Sequence, residues 1–169
     1  MSLRNARRLG EQMPERKLKH APPFALHDSA MDRYAKVTAK FRLRPVGMIR
    51  STVKDRSNAA KQGSEGAPDV WLELKKFALP CLDGLVAGQD VIVITWLHKA
   101  RRNTMKVHPR SDPQQRLMGV FATRSPDRPN PLGLHQVRIL NIDGLRLRIG
   151  PMEAIDGTPV VDIKPVLCP

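Results

Sequence analysis

Residues 91–97 read VIVITWL and form the strongest strand pattern in this chain of 169 residues. Five of the seven side chains are β-branched and the other two are large and apolar, which favours an extended strand over a helix. Because Thr95 is the only polar side chain among them, we expect the strand to be buried on both faces. The stretch therefore predicts the most buried strand of the domain.

Shorter strands are predicted on both sides of this stretch. The predicted strands are residues 46–51, 70–74, 117–123, 135–142, 145–149 and 158–163. Asp143-Gly144 is a hairpin turn signal, residues 75–85 predict a short helix or an irregular turn, and residues 54–68 and 98–115 predict long polar loops. This pattern indicates a mainly β fold, a small closed or nearly closed β-barrel with short helices. Connections so rich in Pro and Gly do not suit a doubly wound sheet.

Two of these strands have alternations that predict which side chains share a face. We expect Val137, Ile139 and Asn141 to lie on one face of the strand at residues 135–142. In the last strand, Asp162 and Lys164 alternate with apolar residues, so they are expected to share a face and to form a local ion pair.

The N-terminal residues 1–40 predict a basic extension rather than a compact domain, and residues 41–169 are expected to form the barrel. A short helix is predicted within residues 28–41. The whole chain carries 29 Lys and Arg against 16 Asp and Glu, a formal net charge of +13 and a pI of about 10.6. This charge favours a polyanionic partner, with nucleic acid ahead of an anionic membrane. The alternative is that the charge only keeps the protein in solution.

Several function classes are excluded by absent patterns. Cys81 and Cys168 belong to no CxxC or Cys/His cluster, and His98 and His108 have no third ligand nearby, so no metal site is predicted. The cysteine usage fits a reducing cytoplasm and is also compatible with one disulfide. No apolar run approaches the ~20 residues of a membrane span, and no secretory signal is present. GxGxxG, P-loop, GxSxG and HExxH motifs are absent.

A proline-rich segment at residues 121–134, FATRSPDRPNPLGL, predicts a stiff loop that leaves the strand at residues 117–123. Since proline fixes φ and removes a backbone donor, residues 125–131 suit neither a helix nor a central strand. A stiff loop can place polar groups around a ligand. Its candidate polar residues are Arg124, Ser125, Arg128 and Asn130. The alternative is an ordinary rigid turn with solvated arginines.

Three other segments are candidates for a site, each with a simpler alternative. Residues 59–63, AAKQG, form a loop with a glycine for close approach and a glutamine that donates and accepts. Residues 98–110 are strongly basic and suit phosphate contacts, or they are a solvated surface loop. Residues 156–159, DGTP, form a tight turn with or without a role in binding.

Taken together, VGMIRST, KQG, WLH, GVFATRSPDRPNPLGL and IDGTPVVDIKP occur in the order seen in the TsaA-like (TrmO or YaeB) family, and the chain resembles that family over residues 44–169. The family contains tRNA methyltransferases that act on N-threonylcarbamoyladenosine beside the anticodon. The resemblance implies a small β-barrel, S-adenosylmethionine as cofactor, and a homodimer with the cofactor sites near the subunit interface. At residues 151–154, PMEA replaces the Gly-Leu-Asp-like sequence usual in the family.

Carried over by position, the resemblance also implies a set of site residues. The implied cofactor contacts are Ala60, Lys61, Gln62, His98, Lys99, Arg124, Leu134, Asp156, Gly157, Thr158 and Pro159. Asp156 is the nearest candidate for a general base, and it is equally a candidate cofactor ligand. Arg124, Arg128 and Asn130 are candidates to hold the threonyl carboxylate, because guanidinium binds carboxylate bidentately.

Two alternatives stay open from the sequence. The first is a non-enzymatic basic β-barrel that binds RNA, although few aromatic residues are present for base stacking. The second is a methyltransferase of the same family with another small substrate.

Overall fold

The computed structural model describes residues 42–167. The predicted N-terminal extension, the helix predicted within residues 28–41, and Cys168 lie outside the described residues. The division of the chain into an extension and a barrel domain therefore stays a prediction. Cys81 is exposed.

Six strands close into an antiparallel barrel in the order β1-β2-β7-β6-β3-β8, and β4 and β5 form a separate two-stranded sheet. The strands are β1 Gly47–Arg50, β2 Val70–Leu74, β3 Asp90–Trp96, β4 Lys106–Val107, β5 Met118–Gly119, β6 Leu132–Asp143, β7 Arg146–Gly150 and β8 Pro159–Pro165. Short 3₁₀ helices are found at Arg56–Asn58, Lys76–Leu82, Pro109–Ser111 and Val120–Ala122. The predicted small mainly β barrel with short helices is confirmed.

The barrel interior is filled by one face of each long strand. Its buried apolar side chains include Ile49, Val70, Leu72, Val91, Val93, Val137, Ile139, Leu147, Ile149 and Val160. Full burial of such a side chain contributes about 1.5–3 kcal/mol relative to leaving it exposed. Packing of these side chains stabilises the pairing register of the strands, and the register determines where the ends of neighbouring strands lie.

The expectation that residues 91–97 are buried on both faces is wrong. Val91, Val93 and Thr95 point into the barrel and are buried, whereas Ile92 and Ile94 are only half-buried on the outer face. β3 has antiparallel partners on both sides, β6 and β8. Antiparallel sheets can leave one face toward solvent, while burial on both faces is typical of parallel sheets covered by helices.

The strand predicted at residues 117–123 is also largely wrong. Only Met118–Gly119 is strand, and the chain then turns into the 3₁₀ helix Val120–Ala122. The backbone N–H and the hydroxyl of Thr123 both donate to the Val120 carbonyl, at 3.1 and 3.0 Å. Such local bonds satisfy the backbone without a neighbouring strand. Within the proline segment (residues 121–134), residues 125–131 form neither helix nor strand, as predicted.

Near the C-terminus, one face prediction is wrong and one is confirmed. The pairing of β6 with β7 shifts between Ile139 and Asn141, so Asn141 is exposed and Ile142 packs against the core instead. A bulge reverses the faces of the residues beyond it. Asp162 and Lys164 form the predicted ion pair, with an oxygen to nitrogen distance of 2.9 Å.

The topology places three connections at one end of the barrel. Because every neighbouring pair is antiparallel, the ends of β1, β3 and β7 lie beside the starts of β2, β6 and β8. The chain between these points forms loop A (residues 51–69), loop B (residues 97–131) and loop C (residues 151–158). We call this end of the barrel the site end.

Candidate functional site

The site end brings together the residues that the sequence assigned to a site. Loop A contains Ala60, Lys61 and Gln62, loop B contains His98, Lys99 and Arg124, and loop C contains Asp156, Gly157 and Thr158. Leu134 follows loop B on the outer face of β6, and Pro159 begins β8 directly after loop C. Segments up to about a hundred residues apart therefore meet because antiparallel strands return the chain to one end.

Loop C is fixed to the end of β1 through Asp156. One carboxylate oxygen accepts from the backbone N–H of Ser51 at 3.0 Å, and the other is 2.9 Å from the ammonium of Lys54. Gly157 has a φ of +77°, which glycine adopts without strain, and its N–H donates to the Ile49 carbonyl at 2.9 Å. The Lys54 hydrogen bond, then the Ser51 N–H, hold the pKa of Asp156 below its usual range. Both oxygens are thus engaged within the protein.

Loops A and B are joined by side chains that bind across them. The Lys99 ammonium donates to the Lys54 carbonyl at 3.3 Å, and the Arg56 guanidinium donates to the Lys99 carbonyl at 3.0 Å. Arg56 also pairs with Asp127 at 2.9 Å. Burial and then the charge of Lys99 lower the pKa of His98, so this imidazole is neutral at pH 7.

The proline segment of loop B is held by its own arginine. Arg128 donates to the carbonyls of Ser125, Thr123 and Val120 at 2.8, 2.6 and 3.2 Å. These bonds use two of its three nitrogens, so most of the guanidinium is occupied in stabilising the loop. Arg124 is exposed and donates to the Leu134 carbonyl at 3.1 Å.

A buried chain of polar side chains leads from the barrel interior to loop C. His135 Nδ1 lies 2.8 Å from Glu153 Oε1, and His135 Nε2 lies 2.9 Å from Thr95 Oγ1. A carboxylate only accepts, so Nδ1 carries the proton and Nε2 accepts from the Thr95 hydroxyl. The order Thr–His–Glu is that of a hydrolase triad. Thr95 is 0% exposed, however, and it cannot reach a substrate as a nucleophile.

Glu153 connects this chain to the loops of the site end. A Cβ built on Gly63 of loop A would lie 3.4 Å from Glu153 Oε2 and 2.8 Å from the Pro151 carbonyl, so loops A and C touch here. Burial raises the pKa of Glu153, but the hydrogen bond from His135, with a smaller effect of Arg124, outweighs it and leaves the pKa lowered. Glu153 is an ionised carboxylate with one oxygen fixed and the other facing loop A.

Neither Glu153 nor His135 was predicted from the sequence as a site residue. His135 occupies an inward position of an alternating strand, where a polar side chain has to find a partner. Glu153 lies in the segment that departs from the family pattern. These two signals distinguish His135 and Glu153 in the sequence, but the contact between the two residues depends on the fold.

The lowered pKa of Glu153 predicts a pH-dependent contribution to stability. Its pKa in the unfolded chain is about 4.3, so the ionised form stabilises the fold above about pH 4.3, and this contribution is lost as the pH falls through the folded value. Urea unfolding of wild type and Glu153→Gln should differ by about 1 kcal/mol at pH 7, and by less at pH 3. An equal difference at both pH values would contradict the ionised pairing.

An open groove of about 790 Å³ lies beside Asp156 and the end of β1. Its walls include Arg50, Lys54, Trp71 and Arg148, of which Trp71 also packs under the guanidinium of Arg146 at 4.5 Å. Within residues 42–167 no cluster of three or more His, Cys, Asp or Glu is arranged to hold a metal ion. Across the same part of the chain, no helix has the length and apolarity needed to cross a membrane.

Comparison with known proteins gives a consistent family. The family model described as the tRNA-methyltransferase O N-terminal domain matches residues 48–168. A protein of Methanothermobacter thermautotrophicus, described as a probable S-adenosyl-L-methionine-binding protein, is 43% identical over 126 residues, covering 75% of this chain and 90% of the relative. A tRNA (adenine(37)-N6)-methyltransferase of Eikenella corrodens is 58% identical over 55 residues, which cover 31% of each chain.

The solved structures place the same domain in a longer protein. The crystal structure of TrmO from Pseudomonas aeruginosa aligns with a TM-score of 0.59 and 30% identity, covering 75% of this chain and 56% of that chain. This chain therefore spans a little more than half of the solved relative. With a family model covering most of the barrel and relatives above 40% identity, the chain belongs to the tRNA-methyltransferase O N-terminal domain family.

Proposed function

We propose that this protein transfers a methyl group from S-adenosylmethionine to the exocyclic nitrogen of N-threonylcarbamoyladenosine beside the anticodon of tRNA. The family membership and the names of its relatives support the methyl donor and the tRNA adenine. The observation that carries the proposal is the convergence of loops A, B and C at one barrel end, with fixed carboxylates and several cations.

The residues of the site end fit the chemistry of the cofactor. S-adenosylmethionine supplies a methyl carbon on a positively charged sulfur, and it also carries an ammonium, a carboxylate and an apolar-faced adenine. Asp156 suits the positive groups, Lys61 and Arg124 suit the carboxylate, and the exposed Leu134 offers an apolar surface. The groove beside Asp156 has the size of common small-molecule sites.

In the proposed reaction, Glu153 receives the proton of the adenine nitrogen as that nitrogen bonds to the methyl carbon. The carbon–sulfur electron pair stays on the sulfur, so the products are the N-methylated base, a neutral thioether and a protonated carboxyl. Asp156 is the weaker candidate acceptor because Ser51 and Lys54 occupy both of its oxygens. We assign Asp156 a positioning role in loop C, since alignment of the reacting groups supplies much of the rate.

Arg124 and Asn130 are the exposed polar side chains of the proline segment that we assign to the threonyl carboxylate. Arg128 contributes through its remaining nitrogen and by holding the segment in shape.

A homodimer also remains part of the proposal, and light scattering at several protein concentrations tests it.

The deciding experiment compares two tRNA substrates. Purified protein and labelled S-adenosylmethionine are incubated with tRNA that has, or lacks, the threonylcarbamoyl group, and the nucleosides are identified by mass spectrometry. We expect methylation of the modified tRNA at least about tenfold faster, which corresponds to about 1.4 kcal/mol of discrimination. Methylation of neither tRNA would overturn the proposal. Equal rates would keep the tRNA adenine as the substrate but show that the threonylcarbamoyl group is not required.

Calorimetry with S-adenosylmethionine separates the enzyme from an RNA-binding barrel without enzymatic activity. Binding of the cofactor to the protein alone supports the enzyme. Absence of both binding heat and thermal protection, combined with tight RNA binding, would favour the alternative.

A further inference from the structure

Loop B contains a two-stranded arm, residues 105–121, that the proposed chemistry does not use. The two-stranded sheet β4–β5 pairs Lys106 with Gly119, and the Met105 carbonyl accepts from the Val120 N–H at 3.0 Å. The arm ends in the 3₁₀ turn that carries Phe121. It therefore presents a short ribbon outside the closed barrel.

The arm, with the turn at its end, exposes three large apolar side chains. Phe121 is 85% exposed, Met105 63% and Leu117 49%. Single exposed apolar residues are common, whereas several together mark an interaction surface. Phe121 is one of only seven aromatic residues in the chain.

The turn that presents Phe121 is held rigidly. Its carbonyl groups at Val120 and Thr123 receive the Arg128 guanidinium, and the Thr123 N–H bonds back to Val120. An aromatic ring on a backbone fixed in this way loses little conformational freedom when it binds a partner.

Positive charge surrounds these apolar side chains. Loop B contains eight Lys and Arg against two Asp. Asp127 is bound by Arg56 of loop A and Asp112 caps its own turn, and among the described residues neither pairs with Lys106 or Arg116. Both of these cations are exposed on the arm.

We propose that this arm surface, formed by Met105, Lys106, Arg116, Leu117 and Phe121, binds the unpaired nucleotides of an RNA loop. An exposed aromatic flanked by cations is the arrangement that stacks on bases and contacts phosphates in single-strand binders. We choose RNA over a second protein copy because the two cations of the surface, Lys106 and Arg116, are exposed and suit contacts with phosphates. The choice of an anticodon loop as the RNA rests on the proposed function, but binding itself does not require methyl transfer.

The test measures binding of a fluorescently labelled RNA hairpin with the loop of an anticodon arm, in the absence of cofactor. Phe121→Ala should weaken binding about 5- to 150-fold, the loss typical of one stacked base. The matched control is Phe77→Ala. Phe77 is also exposed, at 41%, and lies under the Arg44 guanidinium in the connection between β2 and β3, at the opposite barrel end. The Phe77→Ala variant should bind the RNA hairpin like wild type.

The cations are tested by salt dependence. Lys106→Gln and Arg116→Gln should each lower the slope of log affinity against log salt by about 0.7. Arg138→Gln is the control, because Arg138 is also exposed but forms two hydrogen bonds with Asp90 far from the arm. An unchanged slope in both arm variants would contradict phosphate contacts.

The outcomes separate this surface from the proposed function. If Phe121→Ala binds RNA like wild type, the surface proposal fails, and a shift of that variant toward monomer would identify a second copy as the partner. If wild type binds the hairpin through Phe121 yet methylates no tRNA, the surface stands and the proposed function fails. Circular dichroism confirms that each variant is folded.

Discussion

Glu153→Gln should slow methyl transfer by about 10²- to 10⁴-fold, the usual contribution of a general base. In wild type, His135 Nδ1 lies 2.8 Å from Glu153 Oε1. The amide oxygen of glutamine can still accept this hydrogen bond, but the amide cannot take a proton from the substrate. Single-turnover methylation of modified tRNA measures the effect. Cofactor affinity by calorimetry should change far less than the rate.

The matched control for this substitution is Asp90→Asn. Asp90 is also a carboxylate bound by a cation, Arg138, but it lies at the start of β3, at the barrel end away from loops A, B and C. Its neutralisation should leave the rate unchanged. If Glu153→Gln keeps the wild-type rate and pH profile, Glu153 is not the proton acceptor. If it lowers cofactor affinity as much as the rate, Glu153 is a binding residue.

Gly133→Ala should destabilise the fold by about 1–3 kcal/mol, as expected for overpacking. A Cβ at this position would lie 2.5 Å from both His135 Nε2 and Thr95 Oγ1. The methyl group therefore has to displace the two atoms that hold each other in the buried chain. This cost exceeds the usual advantage of alanine over glycine in a strand. Urea unfolding at pH 7 measures it.

Gly119→Ala is the control for that substitution. A Cβ on Gly119 meets nothing within 4 Å, and its φ of −60° suits any residue, so stability should change by less than about 0.5 kcal/mol. Equal stability of the two variants would show that the barrel interior has room at Gly133, contrary to the packing described.

Much of the fold follows from local patterns in the sequence. The β-branched run at residues 91–97 and the Asp143-Gly144 turn each specify their structure within a few residues. Face predictions were less complete, because burial depends on what covers a strand. Asn141 shows this directly, since a bulge after Ile139 reverses the expected face.

The candidate site was predicted in part. The motifs containing Lys61, His98, Arg124 and Asp156 were recognised from their residues and their resemblance to a family, and the topology places all four in loops of one end. Their individual roles stay predictions. Glu153 was missed, because its one signal, the departure of residues 151–154 from the family pattern, does not reveal its contact with His135.

The sequence by itself determined the six strands of the barrel, the stiffness of the proline segment and the strongly basic character of the chain, because these depend on backbone preferences and charge within short stretches. Tertiary structure alone decided that Thr95, His135 and Glu153 form one hydrogen-bonded chain. Residues 40 and 18 positions apart meet only after the closed barrel sets the register of β3 against β6 and brings loop C over the barrel end. Side-chain chemistry provides the groups, and the packing of distant strands determines which of them touch.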